Sequence, residues 1–331
     1  MRDPWLDNAK MTLVTLVVIG HFWAVLPDTT LNDHFYDFLY LWHIPAFVFV
    51  TGYLSRSFEW TRAKLVGLLT TVVVPYVIFE SLYALFRIRV GDERFDDLYA
   101  DPHWPLWYLA ALFFWRLATP VLKRHPAAVP ISIVLSVVGG AYAGETLDLA
   151  RVVGLLPFFV LGLHATSDRL ALLRTTRASV VGAAVLLAVF AWAGLTDVVI
   201  GTEWLYYRSR YDTLGVSDTT GMAIRMGLLA VGTIAGLAFF AVVPRRGGWY
   251  AAAGRWTLVV YLFHGFVVKG VGYTGFGDWT DTHGVLALAL TTLLGIVVAI
   301  LLSWKPIARR LNLVIDPYGA ILRRSSPAAR G

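Results

Sequence analysis

There is no cysteine anywhere in the 331 residues. That absence excludes disulfides, thiol chemistry and cysteine-ligated metals together. Charge is the second shortage. Asp, Glu, Lys and Arg make up 15% of the chain, where soluble domains carry about 25%. An internal repeat of fixed period and a soluble stretch large enough to fold alone are also missing. What is plentiful is apolar surface, with 57% hydrophobic residues. The combination points to an all-α, polytopic integral membrane protein, because a helix satisfies its own backbone inside lipid. Thirteen Trp and fifteen Tyr suit the aromatic belts of a bilayer.

Apolar runs of about 17 to 25 residues are long enough to span a membrane. Ten are predicted, at about 11–27, 35–55, 65–86, 104–122, 128–144, 150–166, 179–197, 222–243, 256–273 and 284–304. The membrane domain then covers 1–310, and 311–331 form a basic cytoplasmic tail, with the chain expected to fray after Lys305. Both termini are placed in the cytoplasm. That choice puts most of the 28 Lys and Arg residues inside, and acids such as Asp92, Asp96, Asp97, Asp101, Glu145, Asp197 and Glu203 outside, as the positive-inside rule requires. The net charge of +6 is therefore topological and does not indicate nucleic acid. The first apolar run follows Asp3 and Asp7 and precedes no small-x-small cleavage pattern. It is read as a retained helix, not a signal peptide.

Polar groups inside spans are costly and mark functional candidates. Lys10 and His21 are eleven residues apart, about 1100° of helical rotation, so they share one face and lie about 16 Å apart along the axis. His43 and His264 are expected at a depth similar to that of His21. Three histidines could ligate zinc by number, but no HExxH pair or nearby carboxylate accompanies them, and simple packing is the alternative for each. Glu80 falls in the outer half of the third span and Arg116 in the inner half of the fourth; pairing with helix ends is their alternative role. Arg151 and Arg225 lie near outer helix ends, where snorkelling would also explain them. Trp107 and Tyr108 are belt residues or the roof of a pocket. The loop 198–221, rich in aromatic and polar residues, suits a sugar-contacting surface or an interfacial loop.

Several blocks occur in an order that resembles the membrane-bound acyltransferase family 3, the bacterial O-acyltransferases, and within it the fucose 4-O-acetylase-like branch. They are Trp5-Leu-Asp-Asn-Ala-Lys10 with Gly20-His21-Phe; Leu41-Trp-His43-Ile-Pro45 running on to Gly52; Pro75-Tyr; Pro105-Leu-Trp107-Tyr108; Leu156-Pro157 running on to Gly162; and Tyr261-Leu-Phe-His264-Gly. The family's signature of a basic residue, ten residues and a histidine falls on Lys10 and His21, with Lys where Arg is common. The Arg-x-x-Arg of the first inner loop is absent, leaving Arg62 and Lys64. No extracytoplasmic hydrolase-like domain is expected after the spans, so no acyl relay through one.

The resemblance implies an acyl-CoA, most often acetyl-CoA, as donor, with no metal. The acceptor would be a hydroxyl of an exported or surface glycan, a glycolipid or a similar molecule, and the site the bacterial cytoplasmic membrane. It also implies His21 as the catalytic group. Lys10, Arg62, Lys64 and Arg255 would then hold the CoA phosphates, and the 16 Å from Lys10 to His21 is on the order of a pantetheine arm. His43, Glu80, Trp107, Tyr108, Arg116, Arg151 and His264 are supporting or acceptor-binding candidates. The competing function is a secondary transporter or flippase; it would call for matching broken helices in two repeated halves, and no such symmetry is present.

Overall fold

The computed structural model describes residues 3–317 except 96, 97, 143, 145 and 195–199. The expected outer acids Asp96, Asp97, Glu145 and Asp197, together with Arg2 and the end of the basic tail from residue 318, lie outside the described residues. Every regular element among the described residues is helical.

Helix α1, Pro4–Trp23, starts where the sequence sets it: Asp3 caps the Trp5 N–H at 3.0 Å and proline occupies the first turn. It therefore begins seven residues before the expected span and runs through the middle of the molecule. Most of its side chains are buried. Its first turn is pinned from outside the helix. The Trp5 indole donates to Phe240 O at 3.1 Å, and the Asn8 amide donates to Pro244 O at 2.8 Å and Arg246 O at 3.0 Å. A Cβ on Gly254 would lie 2.2 Å from Asp7 O, so only glycine lets that segment approach the α1 backbone.

Prolines break the next elements. α2, Thr30–Tyr40, and α3, His43–Ser55, are separated at Leu41-Trp42, because Pro45 has no N–H to offer the Leu41 carbonyl. α4, Arg62–Leu68, continues through a π turn at Leu69–Val73 into α5, Val74–Gly91, and Pro75 stands at the seam. α6 is Trp107–Leu122 and α7 is Ala128–Tyr142. α8, Leu149–Gly154, and α9, Leu156–His164, meet at Pro157 and form a pair bent by 54°. α3 crosses α9 through two glycines: a Cβ on Gly52 would sit 2.0 Å from Phe159 O, and one on Gly162 would sit 2.0 Å from Phe49 O. Close backbone approach of this kind drives helix packing where lipid supplies no hydrophobic force.

The remaining elements are α10, Ser167–Leu172; α11, Thr176–Ala193; α12, Asp218–Val242; α13, Trp249–Ala253; α14, Thr257–Gly272; α15, Phe276–Thr280; α16, Gly284–Ser303; and α17, Lys305–Ile315. α11 packs on α12, and α14 and α16 pack on α1. The tail does not fray at Lys305; it is helical to Ile315, started by a proline in its first turn.

Among the described residues, five helical stretches are long and apolar enough to cross a membrane, or six if the bent α8–α9 pair counts as one span. α6, α7 and α14 are shorter apolar helices. Only 11% of the α11 window is buried, and Val180, Val181 and Leu187 project outward, as expected of side chains facing lipid.

Candidate active site

His21, near the end of α1, and His264, on α14, are joined. His21 Nδ1 lies 2.7 Å from His264 Nε2, and the two rings meet edge to edge, 16° from coplanar, with centroids 5.0 Å apart. The protons on this pair can be assigned from the next partner. His264 Nδ1 is 2.7 Å from Tyr261 O and 3.1 Å from Val260 O. A carbonyl only accepts, so His264 Nδ1 carries the hydrogen and its Nε2 is left as the acceptor. His21 Nδ1 must then donate, and His21 Nε2 is left with a lone pair. Trp104 lies against the His21 ring at 4.2 Å.

His21 faces an outer chamber of about 270 Å³ shared with Tyr36, Tyr40, Trp104, Trp107, Arg151 and Arg208. Its aromatic wall is fixed by contacts: Tyr36 stacks on Tyr40 at 4.1 Å and shares a hydrogen bond of 2.9 Å with the Tyr206 hydroxyl. A 3-10 turn, Thr202–Tyr206, brings Tyr206 there, and Thr202 Oγ1 ties that turn to Asp37 at 2.7 Å. The loop 198–221 thus reaches the chamber through Glu203, Leu205, Tyr206 and Arg208. Arg151 spans several groups. Its Nη1 is 3.1 Å from Asp148, its Nε donates to Tyr206 O at 3.3 Å, and its guanidinium lies 5.0 Å above the Trp107 ring.

A second, inner chamber of about 150 Å³ is lined by Lys10, Thr51, Tyr108, Arg116 and Tyr261. Lys10 pairs with Asp7 at 2.8 Å. Tyr108 and Tyr261 stand side by side in the inner lining, and Trp107, the chain neighbour of Tyr108, lines the chamber at His21. Tyr108 hydrogen-bonds Thr51 Oγ1, Tyr261 donates to Pro105 O, and the two rings are edge-on at 5.6 Å.

A family model described as an acyltransferase domain, Acyl_transf_3, matches residues 3–304. The chain belongs to the acyltransferase 3 family. It is also 25% identical over 175 residues to the nodulation protein NolL of Mesorhizobium japonicum, a match covering 49% of this chain and 47% of that protein. The chain thus spans about half the length of that relative. No solved structure matches it.

The candidates read from the sequence divide by position in this acyltransferase. His21 and His264 are in contact, and Trp107 and Arg151 share the chamber at His21. His43 donates from Nδ1 to Leu39 O at 2.6 Å across the α2–α3 break. Lys10 and Arg116 come together at the inner chamber with Tyr108. Arg62, Lys64 and Arg255 are exposed and line neither chamber. Glu80 and Arg116 do not pair with each other. Glu80 is fully buried and accepts from the His103 backbone N–H at 2.8 Å and from His103 Nδ1. Arg225 does not snorkel; it is 1% exposed, with Tyr207 and Tyr211 rings 4.7 and 5.7 Å from its guanidinium. Among the described residues no group of three or more His, Asp or Glu could hold a metal ion.

Sequence reasoning missed Trp104, His103 and the Tyr36–Tyr40–Tyr206 wall. The available signal was the Pro102-His103-Trp104-Pro105 stretch at the edge of the fourth apolar run, where His103 stands one residue before the run and so escaped a search for polar groups within it.

Proposed function

We propose that this acyltransferase is a ten-span protein of the bacterial cytoplasmic membrane with both ends inside. It moves an acyl group, acetyl foremost, from cytoplasmic acyl-CoA to a hydroxyl of an exported glycan or glycolipid. The observation that carries the reading is the His21–His264–Tyr261 carbonyl chain, which leaves the lone pair of His21 Nε2 available in a chamber built from aromatic rings and polar side chains.

The CoA phosphates rest at the mouth marked by Lys10, a point-charge phosphate binder, and Arg116. The inner chamber, about 150 Å³, takes the thioester end of the arm and leaves the nucleotide outside. At the Tyr108–Tyr261 pair the thioester meets the acceptor. His21 Nε2 takes the proton of the acceptor hydroxyl as its oxygen attacks the thioester carbonyl carbon. Arg151 faces the oxyanion that develops there. His264 holds the imidazole in the required tautomer, as the third member of a catalytic triad does. When the carbon–sulfur bond breaks, His21 returns the proton to the departing thiolate, giving the new ester and free CoA. Trp104 and Trp107 offer flat faces to a sugar ring.

Purified protein given acetyl-CoA and a glycan extract tests this. His21→Ala should abolish transfer while the protein remains folded, and Lys10→Ala should mainly raise KM for acetyl-CoA. Undiminished transfer by His21→Ala would refute the assignment. Solute uptake without CoA release would favour a transporter instead.

A further inference from the structure

Helix α17, Lys305–Ile315, takes no part in the chemistry above, and its exposed face is mixed in an informative way. One extended residue, Trp304, separates it from α16. At 100° per residue, Ala308 and Ile315 fall on one side. Both are buried, where α17 packs on α14 and α5. Around the opposite side, in angular order, come Lys305, Arg309, Leu313, Arg310 and Val314, and all five are exposed. From Trp304 to Ile315 there are three basic residues and no acidic one.

A face turned only to water gives no reason for the apolar members. Leu313 is 45% exposed and stands between Arg309 and Arg310 around the helix, and Trp304 is 59% exposed at its start. Arginine interleaved with exposed leucine and tryptophan suits the headgroup layer of a bilayer. There a guanidinium meets phosphate while its apolar neighbours reach the first acyl carbons.

The fold carries α17 to that layer. The Trp23 indole, at the end of α1, donates to Thr292 Oγ1 in the first half of α16 at 2.9 Å, and Leu26 packs with Ala287 and Leu288. α16 therefore runs back along α1, and its far end returns to the Lys10 end of the molecule. Because α16 is long and apolar enough to cross a membrane, α17 begins where the chain leaves the bilayer.

We propose that the exposed face of α17 docks on anionic phospholipid in the leaflet at the Lys10 end. Lys305, Arg309 and Arg310 hold lipid phosphates, and Trp304 and Leu313 seat beside them. Charge complementarity selects an anionic surface over a zwitterionic one, since each basic side chain near such a surface favours it about fivefold. Arginine adds a fork that matches two phosphate oxygens. Lipid docking of this kind is independent of the transfer chemistry at His21.

The chain has no cysteine, so Leu313→Cys carries a single thiol for a fluorescent label. The labelled full-length protein would be placed, one copy per disc, in nanodiscs of phosphatidylcholine with or without about 30% phosphatidylglycerol. Every disc would hold the same share of nitroxide-labelled phosphatidylcholine. Quenching of the label by the nitroxide should rise about twofold with phosphatidylglycerol and fall back at about 1 M salt, where charge is screened within about 3 Å. Arg309→Gln together with Arg310→Gln should remove at least half of that rise. Both positions are exposed, and the salt arm tests the same charge without altering the chain. Quenching that does not depend on phosphatidylglycerol, or a rise that survives both the double substitution and high salt, would overturn the proposal. So would a label shielded only when two copies share a disc, which would make this face a protein contact.

Discussion

Trp107 and Tyr108 are neighbours in the chain and line different chambers: Trp107 shares the outer one with His21, and Tyr108 shares the inner one with Lys10 and Arg116. Successive residues on a helix point about 100° apart, so the start of α6 stands in the wall between the two spaces. In acyl transfer such a wall keeps water away from the thioester. Tyr108→Phe and Tyr261→Phe remove the hydrogen bonds to Thr51 and Pro105 O that brace it. Together they should raise the ratio of CoA released to acyl product formed several-fold, by hydrolysis. A ratio that does not change would show that the wall is not a seal.

His264 touches His21 by its ring alone, so its loss should fall on the chemical step. His264→Ala should lower kcat by about 10²- to 10⁴-fold with KM for both substrates within about threefold. A rise in KM with kcat preserved would assign His264 to binding.

The inner mouth can be mapped by KM for the acyl-CoA. Arg116→Ala should raise it about tenfold, on the order of the 1.4 kcal/mol expected for one phosphate contact. Arg62→Ala, Lys64→Ala and Arg255→Ala, at exposed positions outside the chamber, should each change it less than twofold. The opposite pattern would move the phosphates out to those three residues.

Beside the C-terminal ends of α5 and α14, Glu93 takes hydrogen bonds from Arg87 and from the Tyr273 hydroxyl, with Lys269 3.9 Å away. The Arg87 hydrogen bonds foremost, then that of Tyr273, hold the Glu93 carboxyl down at about 2, against an ordinary value of 4.5. A folded-state value below the unfolded one stabilises at pH above about 4.5, and the gain is lost as pH falls from about 5 towards 2. Partial exposure limits it to about 1 kcal/mol. Glu93→Gln should therefore lower Tm by a few degrees at pH 7 and show a smaller loss on acidification than the wild type. Parallel acid curves would show that the latch carries no stability.

The α3–α9 crossing admits no side chain at two points. Gly52→Ala or Gly162→Ala should cost about 2 kcal/mol or more, since the added carbon meets backbone, which yields less than a side chain would. Thermal melts in detergent would read this directly, and Tm values within one degree of wild type would mean that the helices slide apart at no cost.

Some of this could be read along the chain alone. The scarcity of charge and the length of the apolar runs dictate a helical membrane protein, because lipid leaves backbone groups no other partner. Pro45, Pro75 and Pro157 stand where helices break or change register, since a residue without an N–H removes one bond of the ladder, although Pro120 does so inside α6 without ending it. The shared face of Lys10 and His21 follows from 3.6 residues per turn. In the opening motif, however, Trp5 and Asn8 proved to hold α1 against the end of α12, Pro244 and Arg246, which no spacing announces.

Only the packed molecule decided which polar groups meet. Local periodicity says which way a side chain points from its own helix and nothing about the helix it will find there. Three histidines of similar expected depth were equivalent in the sequence; packing joined His264 to His21 and left His43 bonded within its own helical break. Glu80 could have paired with any cation, and the loop before α6 supplied His103. Arg116 reached the inner chamber while Arg62, Lys64 and Arg255 stayed outside. Those choices are made by contacts between residues from 23 to 243 positions apart, through glycine crossings and proline bends whose combined geometry exists only once the helices are assembled.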